Sequence, residues 1–187
     1  MNVVVPLPMD RTALLAWAEG REGRYELARG RVAMMTGGSR GHAIVMRRLS
    51  LALERHLDTT KWTVLTSDFA VDVGADTIRY PDVVVDAAGG ALRDLTATAP
   101  ILIAEVVSPS SATDDLGDKA AEYLRLQNLR AYLVFAQDEP KAWIWLRGTT
   151  GFAAGADVIV GKDKIISIPA LQIELSLSEI YQGIGAD

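Results

Sequence analysis

The sequence predicts an α/β fold: a central β-sheet covered by helices on both faces, with short β-hairpins closing the chain. Three observations carry this prediction. Residues 101–107, Ile-Leu-Ile-Ala-Glu-Val-Val, are apolar on both faces of an extended strand, with Ile101, Ile103 and Val107 pointing one way and Leu102, Ala104 and Val106 the other. Such a strand belongs in the middle of a sheet buried on both sides. Helical periodicity recurs on either side of it, at 39–57 and 115–127, and beyond Gly148 the β-prone runs become short.

Taken in order, residues 1–8 carry two prolines and read as an extended lead-in. A short helix is expected over 12–19, with Leu14, Leu15, Trp17 and Ala18 as its apolar stripe, Asp10 or Thr12 as cap, and Gly20 and Gly23 ending it. The runs 24–28 and 31–35, around Arg29-Gly30, form a hairpin, and 36–38 a loop. The longest helix covers 39–57, where Ile44, Val45, Leu49, Ala52, Leu53 and Leu57 recur at helical spacing, with most of its arginines off the stripe. Strands follow at 62–65 and 69–73, then a turn at 74–76, and residues 77–80 lead through Pro81-Asp82 into a strand at 83–85. A small-residue loop spans 87–99, and Pro100 introduces the central strand. Residues 108–113 interrupt the apolar run, and Thr113 or Asp114 caps a helix from about 115 to 127. Strands are expected at 129–135 and 142–146, then hairpins and a final helical turn. No internal repeat or linker divides the chain, so residues 1–187 are expected to form one domain, with a core over about 10–180.

Composition narrows the chemistry. With 49% hydrophobic and 23% charged residues the chain is ordinary globular protein. It has no cysteine, which excludes disulfides and zinc-thiolate sites, and its two histidines, His42 and His56, argue against a multi-histidine metal site. Any metal ligands are then oxygens, which points to Mg2+ or Mn2+. The formal charge of -5 argues against a broad electrostatic footprint on DNA but leaves room for a local basic groove. No stretch approaches the roughly 18 apolar residues of a membrane span. The N-terminus lacks the pattern of a signal peptide, so a cytoplasmic protein without membrane contact is expected.

Glu105 is the anomaly of the central strand, because a carboxylate among Ile103 and Val107 is costly unless paired, neutralised or bound to a cation. Asp82 lies 23 positions earlier at the start of another β-prone run, and adjacent strands would bring both acids to one divalent ion, with a lysine nearby to orient water or stabilise charge. Taken singly, Asp82 reads equally as a turn residue after proline, Glu105 as the partner of a core arginine, and Lys119 as a surface partner of Asp115 at i,i+4. Trp62, Trp143 and Trp145 read as core rather than as stacking platforms, and Gly37-Gly38 with Gly41 is not a phosphate loop, since no Gly-Lys-Ser/Thr follows.

Glu26 in Tyr-Glu-Leu, Ser39-x-x-His42, Pro81-Asp82-Val83, Glu105-Val106-Val107-Ser108-Pro109-Ser110 and Asp115-x-x-x-Lys119-x-x-x-Tyr123 stand in sequence. Together they resemble the small bacterial "putative restriction endonuclease" family of the PD-(D/E)XK nuclease superfamily, over about residues 10–180. The resemblance implies a restriction-endonuclease-like core: a mixed central sheet flanked by helices, with a divalent-metal site at one edge. It implies Asp82, Glu105 and Lys119 as catalytic residues, Asp82 and Glu105 as ligands of Mg2+ or Mn2+, and DNA as substrate. Glu26 resembles an extra acid of this group, which would ligate the metal or hold Lys119. Asp115, Tyr123 and His42 are supporting candidates; each also has a structural reading, as helix terminus, core residue and satisfied histidine. Arg40, Arg47 and Arg48 are candidates for phosphate contacts or for a solvated helix face. The superfamily lysine two residues after the glutamate is absent, Val107 standing there, and Lys119 on the following helix is expected to replace it.

Two further readings remain. One is a catalytically inactive nuclease-fold protein that binds nucleic acid or assembles with itself, favoured by the charge of -5 and the displaced lysine. The other is a hydrolase of a different phosphoester. A homodimer is expected of an enzyme that cuts both strands of a duplex.

Overall fold

The computed structural model describes residues 9–35, 37–108 and 112–184, so the lead-in expected at 1–8 and the core of the interruption at 109–111 lie outside the described residues. Helix α1 (Arg11–Ala18) starts where the sequence suggests: the Asp10 carboxylate accepts the Ala13 N–H at 2.8 Å, and Leu14 is buried. Strands β1 (Arg24–Ala28) and β2 (Arg31–Met35) form the expected hairpin. Helix α2 (Arg40–His56) is capped by Ser39, whose hydroxyl accepts the His42 N–H at 3.1 Å. Strands β3 (Trp62–Thr66), β4 (Val71–Gly74), β5 (Thr77–Arg79) and β6 (Val83–Ala87) follow, then the central strand β7 (Leu102–Val107). The strand expected from 69 starts at Val71, because Phe69 N–H closes a turn onto Thr66 C=O and Ala70 bridges to Thr96.

The helix expected from 115 to 127 is two short ones, α3 (Ala112–Leu116) and α4 (Asp118–Tyr123). Gly117 divides them with φ -109° and ψ -95°, outside helical geometry. The cap expected at Thr113 or Asp114 falls on side chains outside the described ones. Strands β8 (Ala131–Ala136) and β9 (Lys141–Gly148) lead to β10 (Gly151–Phe152), β11 (Asp157–Val160), the hairpin β12 (Ile165–Ile168) and β13 (Ile173–Ser176), and a last turn α5 (Leu177–Ile180).

The central sheet runs β10-β9-β8-β7-β6-β3, with β11 also pairing β9. It is mixed: β7 pairs β8 in parallel and β6 antiparallel. Both faces of β7 are buried, as its sequence requires. Leu102, Ala104 and Val106 pack with Val45, Leu49, Ala52 and Leu53 of α2 and with the C-terminal hairpin. Ile103 and Val107 pack with Ala120 and Tyr123 of α4. Burial of each such aliphatic side chain contributes about 1.5–3 kcal/mol, which is what fixes α2 on the sheet.

Sequence reading alone does not separate off the second sheet, β2-β1-β5-β4, which has its own small core of Met9, Leu14, Leu27, Ala70 and Ile78 beneath α1. Pro81 marks the crossing from one sheet to the other. It has no N–H to offer a ladder, and the Tyr80 N–H before it bonds the Glu26 carboxylate at 3.1 Å instead. Asp82 is therefore delivered to the first step of β6, beside β7.

The start of α2 is pressed against the end of β8. A Cβ on Gly41 would meet the Gln137 carbonyl oxygen at 2.7 Å, and the Ser39 hydroxyl donates to Gln137 Oε1 at 2.7 Å. Gly41→Ala would gain about 1 kcal/mol of helix propensity. Relieving a backbone clash costs more, about 1–3 kcal/mol. Gly41→Ala is therefore expected to destabilise the protein, read as a lower denaturant midpoint at unchanged m-value.

Candidate active site

Strand register assembles the acid pair. Val83 pairs Ala104 and Val84 pairs Ile103, so one step further along Asp82 stands opposite Glu105. The Asp82 N–H donates to Glu105 Oε2 at 3.3 Å, and the Val106 N–H donates to Asp82 Oδ2 at 2.7 Å. His42 Nε2, from the first turn of α2, lies 3.0 Å from the same Asp82 oxygen. The other Asp82 oxygen, Oδ1, makes no hydrogen bond among the described residues, and Asp82 lines a groove of about 640 Å³.

Lys119 turns inward. Its ammonium lies 3.2 Å from Glu105 Oε1 and 2.9 Å from Asp115 Oδ1, and all three side chains are largely buried. The buried Tyr123 hydroxyl donates to Glu105 Oε1 at 3.1 Å, so Tyr123 belongs both to the core and to this cluster. Asp115 is in turn placed by its backbone carbonyl, which accepts the Tyr132 hydroxyl at 2.8 Å. Val107 is buried in the core on Glu105's face of the strand, and the lysine comes from α4 instead.

Burial pushes the Glu105 carboxyl up, to about 8; Lys119 pulls it down, while Asp82 and Asp115 add to the rise. Burial alone would lower Lys119, but the negative fields of Glu105, Glu26 and Asp115 outweigh it and hold the ammonium above the ordinary lysine value. Tyr123 is held well above the usual phenol value, by burial first and then by Glu105. The cluster is therefore a buried, acid-rich set with one cation among three carboxylates.

Glu26 reaches the same groove but is seated differently. Its Oε2 accepts from Arg79 Nη1 at 3.2 Å and its Oε1 takes the Tyr80 N–H, and it makes no ion pair with Lys119. Arg79 also forms a two-point ion pair with Glu122 of α4, Nε to Oε2 at 2.8 Å and Nη2 to Oε1 at 3.2 Å. Sequence reading passed over Arg79 and Glu122. The available signals were their positions, three residues before Asp82 and three after Lys119, but an arginine and a glutamate 43 residues apart announce no pairing.

Among the helix arginines, Arg40 and Arg47 are exposed, whereas the Arg48 guanidinium donates to the Gln182 carbonyl, which ties α2 to the C-terminal segment rather than to a ligand. Trp145 is core, Trp62 packs against the α2 side of the sheet, and Trp143 is partly buried under the Lys141 ammonium at 4.8 Å.

The donors fit a hard divalent cation in chemistry: two adjacent carboxylates lining one groove, Asp82 with an oxygen that makes no hydrogen bond among the described residues and Glu105 in a buried, acid-rich setting. Among the described residues no group of three acids or histidines is close enough to hold an ion, so Asp82 and Glu105 would share it with water and substrate oxygens, as Mg2+ commonly allows.

A mixed sheet buried under helices, carrying an acid pair at the β6–β7 step with a lysine beside it, defines a protein of the restriction-endonuclease-like fold. A crystal structure described as "a putative nuclease belonging to DUF820", from Anabaena variabilis, matches it with a TM-score of 0.76 over 94% of this chain and 98% of that one, at 14% identity. The chain belongs to the Uma2 family, described as "Putative restriction endonuclease", whose model matches residues 11–179. Two uncharacterized proteins of Synechocystis sp. are similar in sequence. One, slr1290, is 32% identical over 126 residues, 64% of this chain and 64% of that protein. The other, sll1609, is 29% identical over 118 residues, 61% of this chain and 67% of that protein. The chain thus spans just under two thirds of the first relative's length. No helix among the described residues is long and apolar enough to cross a membrane.

Proposed function

We propose that the chain is a divalent-metal-dependent endonuclease that hydrolyses phosphodiester bonds in DNA. The observation that carries this reading is the convergence of Asp82, Glu105 and Lys119, from two strands and a helix, on one groove. Asp82 and Glu105 are the residues that would hold Mg2+ or Mn2+. Such an ion, when bound, polarises a phosphoryl oxygen and lowers the pKa of water beside it.

The chain's own residues supply the rest. Lys119 brings a fixed positive charge to the oxygens on which negative charge grows, in a site already dry enough to strengthen it. Tyr123 and Asp115 hold Glu105 and Lys119 in place. His42 and the Val106 N–H hold Oδ2 of Asp82, which leaves Oδ1 without a hydrogen bond among the described residues. Glu26 acts through Arg79 and through its negative field on Lys119 rather than as a ligand. The exposed Arg40, one residue beyond the Ser39 cap and near the groove mouth, is placed to meet a backbone phosphate. A homodimer suits cleavage of both duplex strands, and Val158, Val160 and Ile165 are exposed apolar residues on the C-terminal strands that a second copy would cover.

The test is nicking of supercoiled plasmid and of single-stranded and branched DNA by purified protein in Mg2+ and in Mn2+. Cleavage should disappear with a chelator. It should also rise between pH 6 and 8, because below its raised value of about 8 the Glu105 carboxyl holds a proton that competes with the cation. Inactivity on every substrate with both metals would sink the reading. The rival, a non-catalytic nucleic-acid-binding protein, is favoured by the net charge of -5 and by the closed contacts of Lys119 with Glu105 and Asp115. It predicts salt-dependent DNA binding without cleavage, unchanged by Asp82→Ala.

A further inference from the structure

The helix that carries Lys119 and Tyr123 has little of its own to hold it. α4 is six residues long, its N-cap is Gly117, and no side chain caps it. A helix this short is not stable by backbone bonding alone, so its position is set by tertiary contacts. Its apolar contribution is Ala120 and Tyr123 against the sheet. Its polar anchor is Glu122, between Lys119 and Tyr123 in sequence, gripped at two points by Arg79.

Arg79 is buried, 5% exposed, at the end of β5, and its remaining Nη1 reaches Glu26. Glu26 in turn fixes the Tyr80 N–H. One guanidinium therefore touches the helix bearing Lys119 and the hairpin bearing Glu26, and through Glu26 it bears on the Tyr80-Pro81 step that delivers Asp82. Exposed Arg29 adds a looser clamp on the same helix, through Asp118 at 3.0 Å.

We propose that Arg79 is a positioning residue of the nuclease site, which sets the place of the Lys119 ammonium relative to Asp82 and Glu105 by holding α4 through Glu122. This rests on the nuclease reading for its catalytic consequence but not for its structural one. Arginine fits the role because its planar fork makes the two-point contact with Glu122 and still has an Nη to spare; a lysine would be a single point charge. It touches neither member of the acid pair and does not itself line the groove, which it meets through Glu26.

The experiment compares wild type, Arg79→Lys and Arg79→Met/Glu122→Leu. Arg79→Lys keeps the buried charge; the double variant removes Arg79 and Glu122 together, which leaves Glu26 without its cation, and serves as the fold control if Arg79→Lys does not fold, with the same faster exchange over 118–124 expected. In Arg79→Lys, kcat for DNA cleavage should fall roughly 10- to 100-fold with KM nearly unchanged, the scale of an ångström-level misplacement. In a Lys119→Gln background, followed at single turnover, Arg79→Lys should cost no more than about twofold, since its partner in catalysis is already gone. Amide hydrogen exchange over 118–124 should be faster in Arg79→Lys than in wild type, while exchange in the α2 core stays the same. An equal loss of kcat in both backgrounds, a loss confined to KM, or unchanged exchange over 118–124 would each overturn the proposal. If wild type cleaves nothing, the nuclease reading fails by that result alone, and the exchange data still decide whether Arg79 holds α4.

Discussion

Asp82→Asn is expected to lower Mg2+-dependent DNA cleavage by about 10²- to 10³-fold or more, the scale on which a single charge-stabilising group is worth in a preorganised site. Asparagine keeps an acceptor for the Val106 N–H and nearly the same shape, so the folded structure should persist. What it loses is the negative charge and the second acceptor oxygen, an NH2 group standing in its place. The expected change in stability is about 1 kcal/mol or less, the net worth of one hydrogen bond, in whichever direction relief of the Asp82–Glu105 repulsion tips it. Cleavage kinetics and a thermal melt on the same preparation separate the two effects. Cleavage close to wild type in a normally folded Asp82→Asn protein would remove the acid pair from the mechanism.

Lys119→Met is expected to be costly twice. Catalytically it removes the one cation that touches Glu105 among the described residues, and kcat should fall by about 10²-fold or more while KM for DNA changes little. Structurally it strands Glu105 and Asp115, and breaking a buried pair by removing one partner costs about 3–5 kcal/mol. The cost depends on pH in a definite sense. Glu105 sits at about 8 when folded, against an ordinary carboxyl value of 4.5, and loss of Lys119 moves it further up. The folded state therefore holds a proton that the unfolded chain has released, and stability falls as pH rises across that window. Wild type and variant lose this stability in parallel from about pH 5 towards 8, and the variant goes on losing it beyond, so its deficit against wild type should be constant below pH 8 and grow above it, as read from denaturant midpoints. A deficit that stays constant on crossing pH 8 would show that Lys119 does not hold the Glu105 carboxyl down.

The two predictions draw on different kinds of information. Asp82 and Glu105 were legible because the acids interrupt patterns that explain everything around them: a proline step before Val83-Val84-Val85, and a strand otherwise apolar on both faces. The faces of β7 follow from alternation, a local property, and they fall as the sequence indicates. Lys119 was legible only through its spacing to Asp115 and Tyr123 and through resemblance, since i,i+4 pairing describes a surface lysine equally well. The break at Gly117 was missed because periodicity averages over a turn, whereas one glycine's φ and ψ decide whether a helix continues.

Alternation, helical spacing and composition therefore determined which segments are strands, which helix is longest, which strand is central, and that no thiolate can hold a metal. These depend on residues close in sequence, whose side chains compete directly for core or water. Tertiary structure decided the rest. It divided the strands into two sheets at Pro81, turned Lys119 inward, seated Glu26 on Arg79, and joined Arg79 to Glu122 across 43 positions. Buried ion pairs of that kind are chosen by desolvation, which makes each charge accept whatever partner the fold brings within reach, and no local pattern in the chain records that choice.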